Sequence, residues 1–326
     1  TMAGGQGTRL GHNGPKGTYD IGLESHKSLF ELLSDSLKEQ GRKYDVIIPW
    51  FIMTSEENNK ETIEFFAKHR NFGYEKDKNL FFFKQGELPM LDLKGKILLE
   101  KDGMVKKAAN GHGGTLQSMD RAQVIEEMKE NGIEWVFING VDNVLVKPVD
   151  PLLIGMSIHN KVLAAAKAIE KTEKKEKVGV LCRKNKKVGV VEYTEISDEM
   201  ANLRDDYGSL VYGDGNAVFH LYNIKGLEKI SQVSLPYHTA VKKASYLDSE
   251  GKEVIGEKPN AYKFEMFIFD SYELFDDVVV LRVKREEEFA PIKNAEGQDS
   301  PETARKLYKD YMNKVECHNR YNHWST

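Results

Sequence analysis

The chain has 326 residues, 40% of them apolar and 30% charged, which suits one large globular domain or a domain with a smaller appendage. Its net charge of −4 supplies no basic field for a nucleic-acid backbone. No apolar run approaches the roughly 20 residues that span a bilayer, no charged-then-apolar leader is visible, and Cys182 and Cys317 stand far apart outside any C-x-x-C pair. The expectation is therefore a cytoplasmic protein with no disulfide and no structural zinc.

The first stretch, Met2-Ala3-Gly4-Gly5-Gln6-Gly7-Thr8-Arg9-Leu10-Gly11 followed by Gly14-Pro15-Lys16-Gly17, reads as a phosphate cradle. Glycines at 4, 5, 7 and 11 allow positive φ and remove the Cβ atoms that would hold a ligand off the backbone. Arg9 adds a planar multi-donor fork and Lys16 a compact point charge, two ways of gripping polyphosphate oxygens. It is neither of the familiar loops. A P-loop needs Gly-Lys-Ser/Thr at a fixed offset, and the dinucleotide fingerprint needs a glycine where Leu10 stands. Only Thr1, Met2 and Ala3 precede the glycines, where a buried strand is expected, so the sequence reads as a trimmed fragment or one that begins inside its own first strand.

Lys27 to Gln40 carries Leu29, Phe30, Leu32, Leu33 and Leu37 at helical spacing, with Gly41 as the expected C-terminal cap. Val46 to Met53 is a continuous apolar run, as in a strand buried on both faces, and Thr54 with Glu57 forms a capping-box pattern for a helix through His69. Leu80 to Phe83 reads as a strand that delivers Gln85 and Gly86. Lys96–Glu100 and Met104–Lys106 flank the turn pair Asp102-Gly103. After Gly111-His112-Gly113-Gly114 a helix is expected over 115–131, stopped by Gly132, and then a strand over 133–138 that leads to Val141-Asp142-Asn143.

In the second half, 162–169, 178–181, 188–193, 217–222 and 278–283 read as extended, the charge run 171–177 as a solvated loop, and Ser300-Pro301-Glu302 as the start of a helix to about Glu316. The alternation predicts an α/β fold: a Rossmann-like open, mixed, mostly parallel sheet flanked by helices, with ligands beyond the carboxyl ends of its strands. Asp142 falls at such an end. There it either binds a hard cation that keeps several waters or caps a turn before Asn143.

Gly4-Gly5-Gln6-Gly7-Thr8-Arg9-Leu10-Gly11 with Pro15-Lys16-Gly17 resembles the signature of the UDP-sugar pyrophosphorylases, most closely the UDP-N-acetylhexosamine pyrophosphorylase branch. Ile48-Pro49-Trp50, Phe82 to Gly86, Gly140 to Asn143 with Asp150-Pro151, Val190 to Tyr193, Gly215-Asn216 and Pro291 to Ala295 are similar to further blocks of that family. The resemblance covers nearly the full length and implies a further C-terminal region beyond Thr326. It implies one catalytic nucleotidyltransferase domain, with a nucleotide-binding half at 1–150 and a sugar-binding half at 151–326.

The same resemblance implies UTP and a sugar 1-phosphate as substrates. Arg9, Lys16 and Lys293 would be catalytic. Gly4, Gly5, Gly7, Thr8, Gln85, Gly111 and His112 would bind the nucleotide, Gly179, Glu192 and Asn216 the sugar, and Asp142 a magnesium ion. An oxygen of the sugar 1-phosphate would attack the α-phosphorus of UTP in line, and pyrophosphate would leave.

Two departures bear on the sugar. The N-acetylhexosamine branch usually has Gly-Asn-Gly-Gly where this chain has His112, a pattern more similar to the UDP-glucose pyrophosphorylases, and a second Asn where this chain has Phe219. N-Acetylglucosamine 1-phosphate is the expected substrate. The alternatives are a UDP-glucose or broad UDP-sugar pyrophosphorylase, and a UDP-sugar-binding relative without turnover. Nicotinamide binding has no support, because no strand-loop-helix unit carries the full glycine spacing with a following acidic residue.

Overall fold

A computed structural model describes residues 1–173, 176–248 and 250–322, with side chains up to Glu316; Lys174, Lys175 and the side chain of Cys317 lie outside the described residues. The core is an open mixed sheet between two helical layers. Strand Trp50–Thr54 pairs in parallel with Leu80–Lys84. Residues 1–3 lie on its other side: Ala3 N donates to Met53 O (2.7 Å) and Met2 N to Asn139 O (2.8 Å). They thereby link Trp50–Thr54 to the parallel strand Trp135–Asn139. Asp214–Asn223 then runs antiparallel between Trp135–Asn139 and Ala164–Glu170, and Val279–Val283 closes that edge parallel to Ala164–Glu170. The hairpin Val180–Lys184 and Lys187–Val191 attaches at Gly215. Both halves of the chain thus share one sheet.

Side-chain alternation divides the core into two layers. Trp50 and Ile52 pack with Leu29, Phe30, Leu33 and Phe66, while Phe51 and Met53 face the opposite way onto Leu116, Met119, Ile125 and Met128. Helices Leu29–Tyr44 and Asn59–Lys68 contribute to the first layer, and Gly114–Arg121, Val124–Glu130 and Ile224–Ser231 to the second. A small antiparallel sheet of His238–Lys242, Ala261–Glu265 and Leu91–Asp92 stands beside the main one. Among the described residues no helix is long and apolar enough to cross a membrane.

Several boundaries differ from the expectation for identifiable reasons. The apolar run at 46–53 becomes strand only from Trp50, with Val46 and Ile47 exposed. Gly41 is buried inside its helix rather than capping it; a Cβ there would strike the carbonyl of Val46, and Asp45 in the left-handed region closes the helix instead. Thr54 ends the strand and its hydroxyl donates to Asn59 Oδ1 (2.7 Å), so the helix starts at Asn59 behind a reciprocal Ser55–Asn58 turn rather than a Thr54–Glu57 box. The helix expected over 115–131 breaks in two at Gln123, whose φ of 56° interrupts it. The Asp102-Gly103 turn forms as expected, with Glu100 N donating to Met104 O (2.7 Å).

Candidate functional site

Gln85 and Asp142 follow the carboxyl ends of the parallel strands Leu80–Lys84 and Trp135–Asn139, while Gly179, Glu192 and Asn216 lie at ends of the antiparallel strands. The opening loop leaves residues 1–3 and folds back on itself, Gly7 N donating to Gly14 O (2.9 Å) and Lys16 N to Gly5 O (3.0 Å). Asn58 fastens it from below: its buried side chain donates from Nδ2 to Ala3 O (2.9 Å) and Gly5 O (3.3 Å) and accepts from Ser55 N (2.8 Å). Among the described residues, the amides of Gly4, Gly5 and Gln6 donate to no protein acceptor. Unpaired main-chain donors of this kind are what an anion cradle requires.

The reason for the glycines differs from the expectation. Gly11 and Gly14 take positive φ (68° and 135°), whereas Gly4, Gly5 and Gly7 do not. Gly4 and Gly7 allow close approach of a side chain instead. A Cβ on Gly4 would lie 2.6 Å from Gln85 Oε1, and one on Gly7 would lie 2.7 Å from the His12 ring. Gln85 in turn donates from Nε2 to Gly111 O (2.8 Å), so Gly4, Gln85 and Gly111 form one contiguous face. Gly111 has φ 81°, and a Cβ would meet the Met266 backbone at 2.5 Å. That glycine is demanded by the chain's own packing.

Lys16 and Asp142 meet across the site, Nζ to Oδ2 at 3.2 Å, with side chains 17% and 33% exposed. A Cβ on Gly140 would lie 2.8 Å from Asp142 Oδ1, so that glycine clears room for the carboxylate. Burial pushes the Asp142 carboxyl up, but the Lys16 and Lys293 ammoniums together outweigh it and hold the group below the ordinary carboxylate range. Lys293 reaches this place because Ile292 N donates to Asp142 O (2.8 Å); its Nζ lies 3.7 Å from Asp299 Oδ2 and 5.9 Å from the Phe289 ring centre. Arg9 and Thr8 are exposed on a short 3₁₀ turn, Thr8–Leu10. Among the described residues Arg9 has no ion-pair partner, so it stands near the cradle but outside the Lys16–Asp142–Lys293 cluster.

Gly179, Glu192 and Asn216 also come together. Asn216 N donates to Gly179 O (2.8 Å), its side chain accepts from Val218 N (3.1 Å), and a Cβ on Gly179 would lie 3.0 Å from Glu192 Oε1. Burial first, and then the Glu195 carboxylate, push the Glu192 carboxyl up; His238 and Lys293 pull it back less. Phe219, the second departure noted in the sequence, is buried and stacks near Phe137.

His112 is not a free ligand group. Its Nδ1 accepts from Ile268 N (3.1 Å), its ring stacks on Phe267 at 5.3 Å, and burial pulls its pKa down to about 4, so it is a neutral imidazole with the proton on Nε2.

Sequence reasoning missed two features here. His238 also stacks on Phe267 (4.3 Å) and holds Asp270 at 2.8 Å and Glu195 at 3.9 Å. Its neighbours come from separate elements, and no spacing signals it. Asn58 was hidden by the stronger-looking Thr54–Glu57 pattern; the Ser55-x-x-Asn58 spacing was the available signal.

A single carboxylate, held low in pKa and partly exposed, fits a magnesium ion that keeps most of its waters and takes phosphate oxygens. Among the described residues no group of three His, Cys, Asp or Glu could form a full protein cage.

Comparison with known proteins gives a consistent result. The family model described as UTP–glucose-1-phosphate uridylyltransferase matches residues 1–313. The human UDP-N-acetylhexosamine pyrophosphorylase-like protein 1 is 41% identical over 315 residues, covering 93% of this chain and 62% of its own length. The UDP-N-acetylglucosamine pyrophosphorylase of Saccharomyces cerevisiae is 41% identical over 322 residues, covering 94% of this chain and 67% of its own. A crystal structure of a candidate UDP-N-acetylglucosamine pyrophosphorylase from Entamoeba histolytica superposes with a TM-score of 0.86 at 36% identity, covering 94% of this chain and 78% of that one. The chain spans less than two thirds of the human relative's length.

Proposed function

The chain belongs to the UTP–glucose-1-phosphate uridylyltransferase family, and from that premise we propose that it transfers uridylyl from UTP to a hexosamine 1-phosphate, N-acetylglucosamine 1-phosphate, releasing pyrophosphate. The observation that carries the reading is the convergence of Lys16, Asp142 and Lys293 with uncommitted loop amides, together with a polar, largely buried group of Gly179, Glu192 and Asn216 within the field of Lys293. The named relatives support the choice of sugar.

The reaction asks the protein for position and charge rather than for a covalent nucleophile. An oxygen of the sugar phosphate bonds to the α-phosphorus of UTP, the bond to the bridging oxygen breaks, and pyrophosphate leaves with the electron pair. Lys16 and Lys293 stabilise the charge gathering on the α- and leaving-group oxygens, with Arg9 available from the loop. The uncommitted amides of Gly4, Gly5 and Gln6 cradle phosphates beside Thr8, while Gly7, whose own N–H is held by Gly14 O, shapes the loop, and Gln85 and Gly111 receive the uracil. Glu192 accepts from a sugar hydroxyl and Asn216 orients another. A magnesium ion on Asp142 would supply charge neutralisation of the phosphates; Lys16, now paired with Asp142, would then turn to the phosphate oxygens. We place the reaction in the cytoplasm, where UTP is available and thiols such as Cys182 stay reduced.

The test is pyrophosphate release from UTP with a panel of sugar 1-phosphates. N-Acetylglucosamine 1-phosphate is expected to give the highest kcat/KM. The Gly111-His112-Gly113 sequence favours a second reading, in which glucose 1-phosphate comes first. UTP binding by calorimetry with no turnover on any sugar, in either direction, would identify a binding protein instead.

A further inference from the structure

We propose that Asn143 and Lys167 are positioning residues that clamp the segment bearing Lys293 onto the loop bearing Asp142; the catalytic consequence rests on the uridylyl-transfer reading above. Asp142 and Lys293 lie far apart in the chain, on a loop after one strand and on a stretch just before the last helix, Pro301–Asn322. Something must set their separation. The main chains touch at two points, Ile292 N to Asp142 O (2.8 Å) and Val144 N to Ala290 O (3.3 Å).

Between these points the buried carboxamide of Asn143 donates from Nδ2 to Glu288 O (2.7 Å) and accepts on Oδ1 from Ala290 N (2.7 Å) and Leu145 N (3.3 Å). One planar group with a donor and an acceptor is needed to serve both partners; a carboxylate could accept but not donate. The residue next to the proposed metal ligand is therefore committed to holding the opposite segment.

A second fastening lies beneath. Lys167, on the Ala164–Glu170 strand, is 0% exposed, and its ammonium lies 2.6 Å from Glu288 Oε2, 2.8 Å from Asp150 Oδ2 and 3.4 Å from Lys147 O. Its partners sit on both segments: Lys147 and Asp150 a few residues beyond Asp142, and Glu288 a few residues before Lys293. Its same-face neighbours on the strand, Ala165 and Ile169, are apolar and fully buried. A well-packed apolar residue at 167 would cost less than burying Lys167 with Glu288 beside the partly exposed Asp150. Stability alone gives no reason for the triad, whereas a single cation tying both segments fixes their register. Neither side chain reaches the phosphate site itself, so both act through Asp142 and Lys293.

The experiment compares wild type, Asn143→Ala and the double variant Lys167→Met/Glu288→Leu, which removes the buried charge and leaves no buried polar group at 288 without a partner. Each is measured by thermal melting, calorimetric UTP binding, steady-state turnover and hydrogen exchange of the 286–294 segment. In folded Asn143→Ala, kcat should fall about 10²-fold, the usual cost of a catalytic group misplaced by about an ångström, with UTP affinity little changed. The double variant should lose kcat in the same sense while melting close to wild type. In both, exchange over 286–294 should quicken about tenfold or more, with the rest of the sheet unaffected.

A folded variant that keeps wild-type kcat and wild-type protection of 286–294 overturns the proposal. So does a loss confined to melting temperature. Exchange needs no turnover: a wild type inactive on every sugar fells the proposed function, and the clamp then stands or falls on exchange alone.

Discussion

At the Lys16–Asp142–Lys293 cluster, burial would raise the Asp142 carboxyl, yet the Lys16 and Lys293 ammoniums hold it low; at the Gly179–Glu192–Asn216 group burial raises Glu192, and Glu195 adds to the rise. The same functional group, similarly enclosed, is driven in opposite directions by what lies beside it. The first region is preset for a highly charged ligand, with cations, an ionised carboxylate and main-chain donors at hand. The second has polar atoms held in place by the backbone and few free cations, which suits neutral hydroxyls. Lys293 is the residue both regions feel, since it acts on Asp142 and on Glu192. Under the proposed function, this division would let the reaction stay fixed while the sugar changes, because the two groups of residues occupy different surroundings.

The contrast can be broken most sharply at Lys16. Lys16→Ala removes a preorganised charge from the region of the departing pyrophosphate, and turnover should fall by about two to three orders of magnitude with the fold intact. Near-normal pyrophosphate release from a purified, folded variant would refute the assignment. On the other side, Glu192→Gln should reduce kcat/KM for the sugar phosphate by roughly 10–100-fold, the worth of a hydrogen bond to a charged group, and leave KM for UTP unchanged. Equal effects on both substrates would show that the two regions are not separable.

A smaller effect is expected at Gly4. A Cβ there would lie 2.6 Å from Gln85 Oε1, push that amide aside and weaken its bond to Gly111, so Gly4→Ala should raise KM for UTP about tenfold. Steady-state titration of UTP checks it.

The smallest effect concerns stability against pH. His112 has its pKa pulled from 6.5 to about 4 by burial, and His220 to about 3. The unfolded chain takes up these protons as pH drops below 6.5 while the folded chain does not, so the stability they contribute is full above 6.5 and is lost as pH falls through about 4. His112→Gln should flatten the decline in Tm over that window by a few degrees, on the order expected for about 1–2 kcal/mol. An unchanged slope in melting scans would show that His112 does not remain neutral in the fold.

Much of this was legible in one dimension. The order of strands and helices, Gln85 and Asp142 at strand ends, and the grouping of Gly179 with Glu192 and Asn216 all follow the expectation. Local patterns misled where two readings shared a segment. The apolar run at 46–53 could not say which part would be buried, and 115–131 carried helical periodicity straight through the break at Gln123. Asn58 and His238 drew no attention because their work is done on Ala3, Gly5, Phe267 and Asp270, at long range.

By itself the sequence determined the chemistry on offer: a glycine-rich loop with Arg9 and Lys16, a carboxylate at a strand end, a late lysine, and a fold class set by hydrophobic periodicity. Those are properties of neighbours along the chain, and a chain carries them before it folds. Tertiary structure alone decided what Gly11 and Gly4 are there for, the one for its φ and the other for Gln85; in which direction each of two carboxyls is driven; and that Lys293 acts on Asp142. Such facts depend on distances between remote segments and on how far each is shut off from water. Both come into being only when the sheet closes around residues 1–3 and Asn143 meets Glu288 and Ala290.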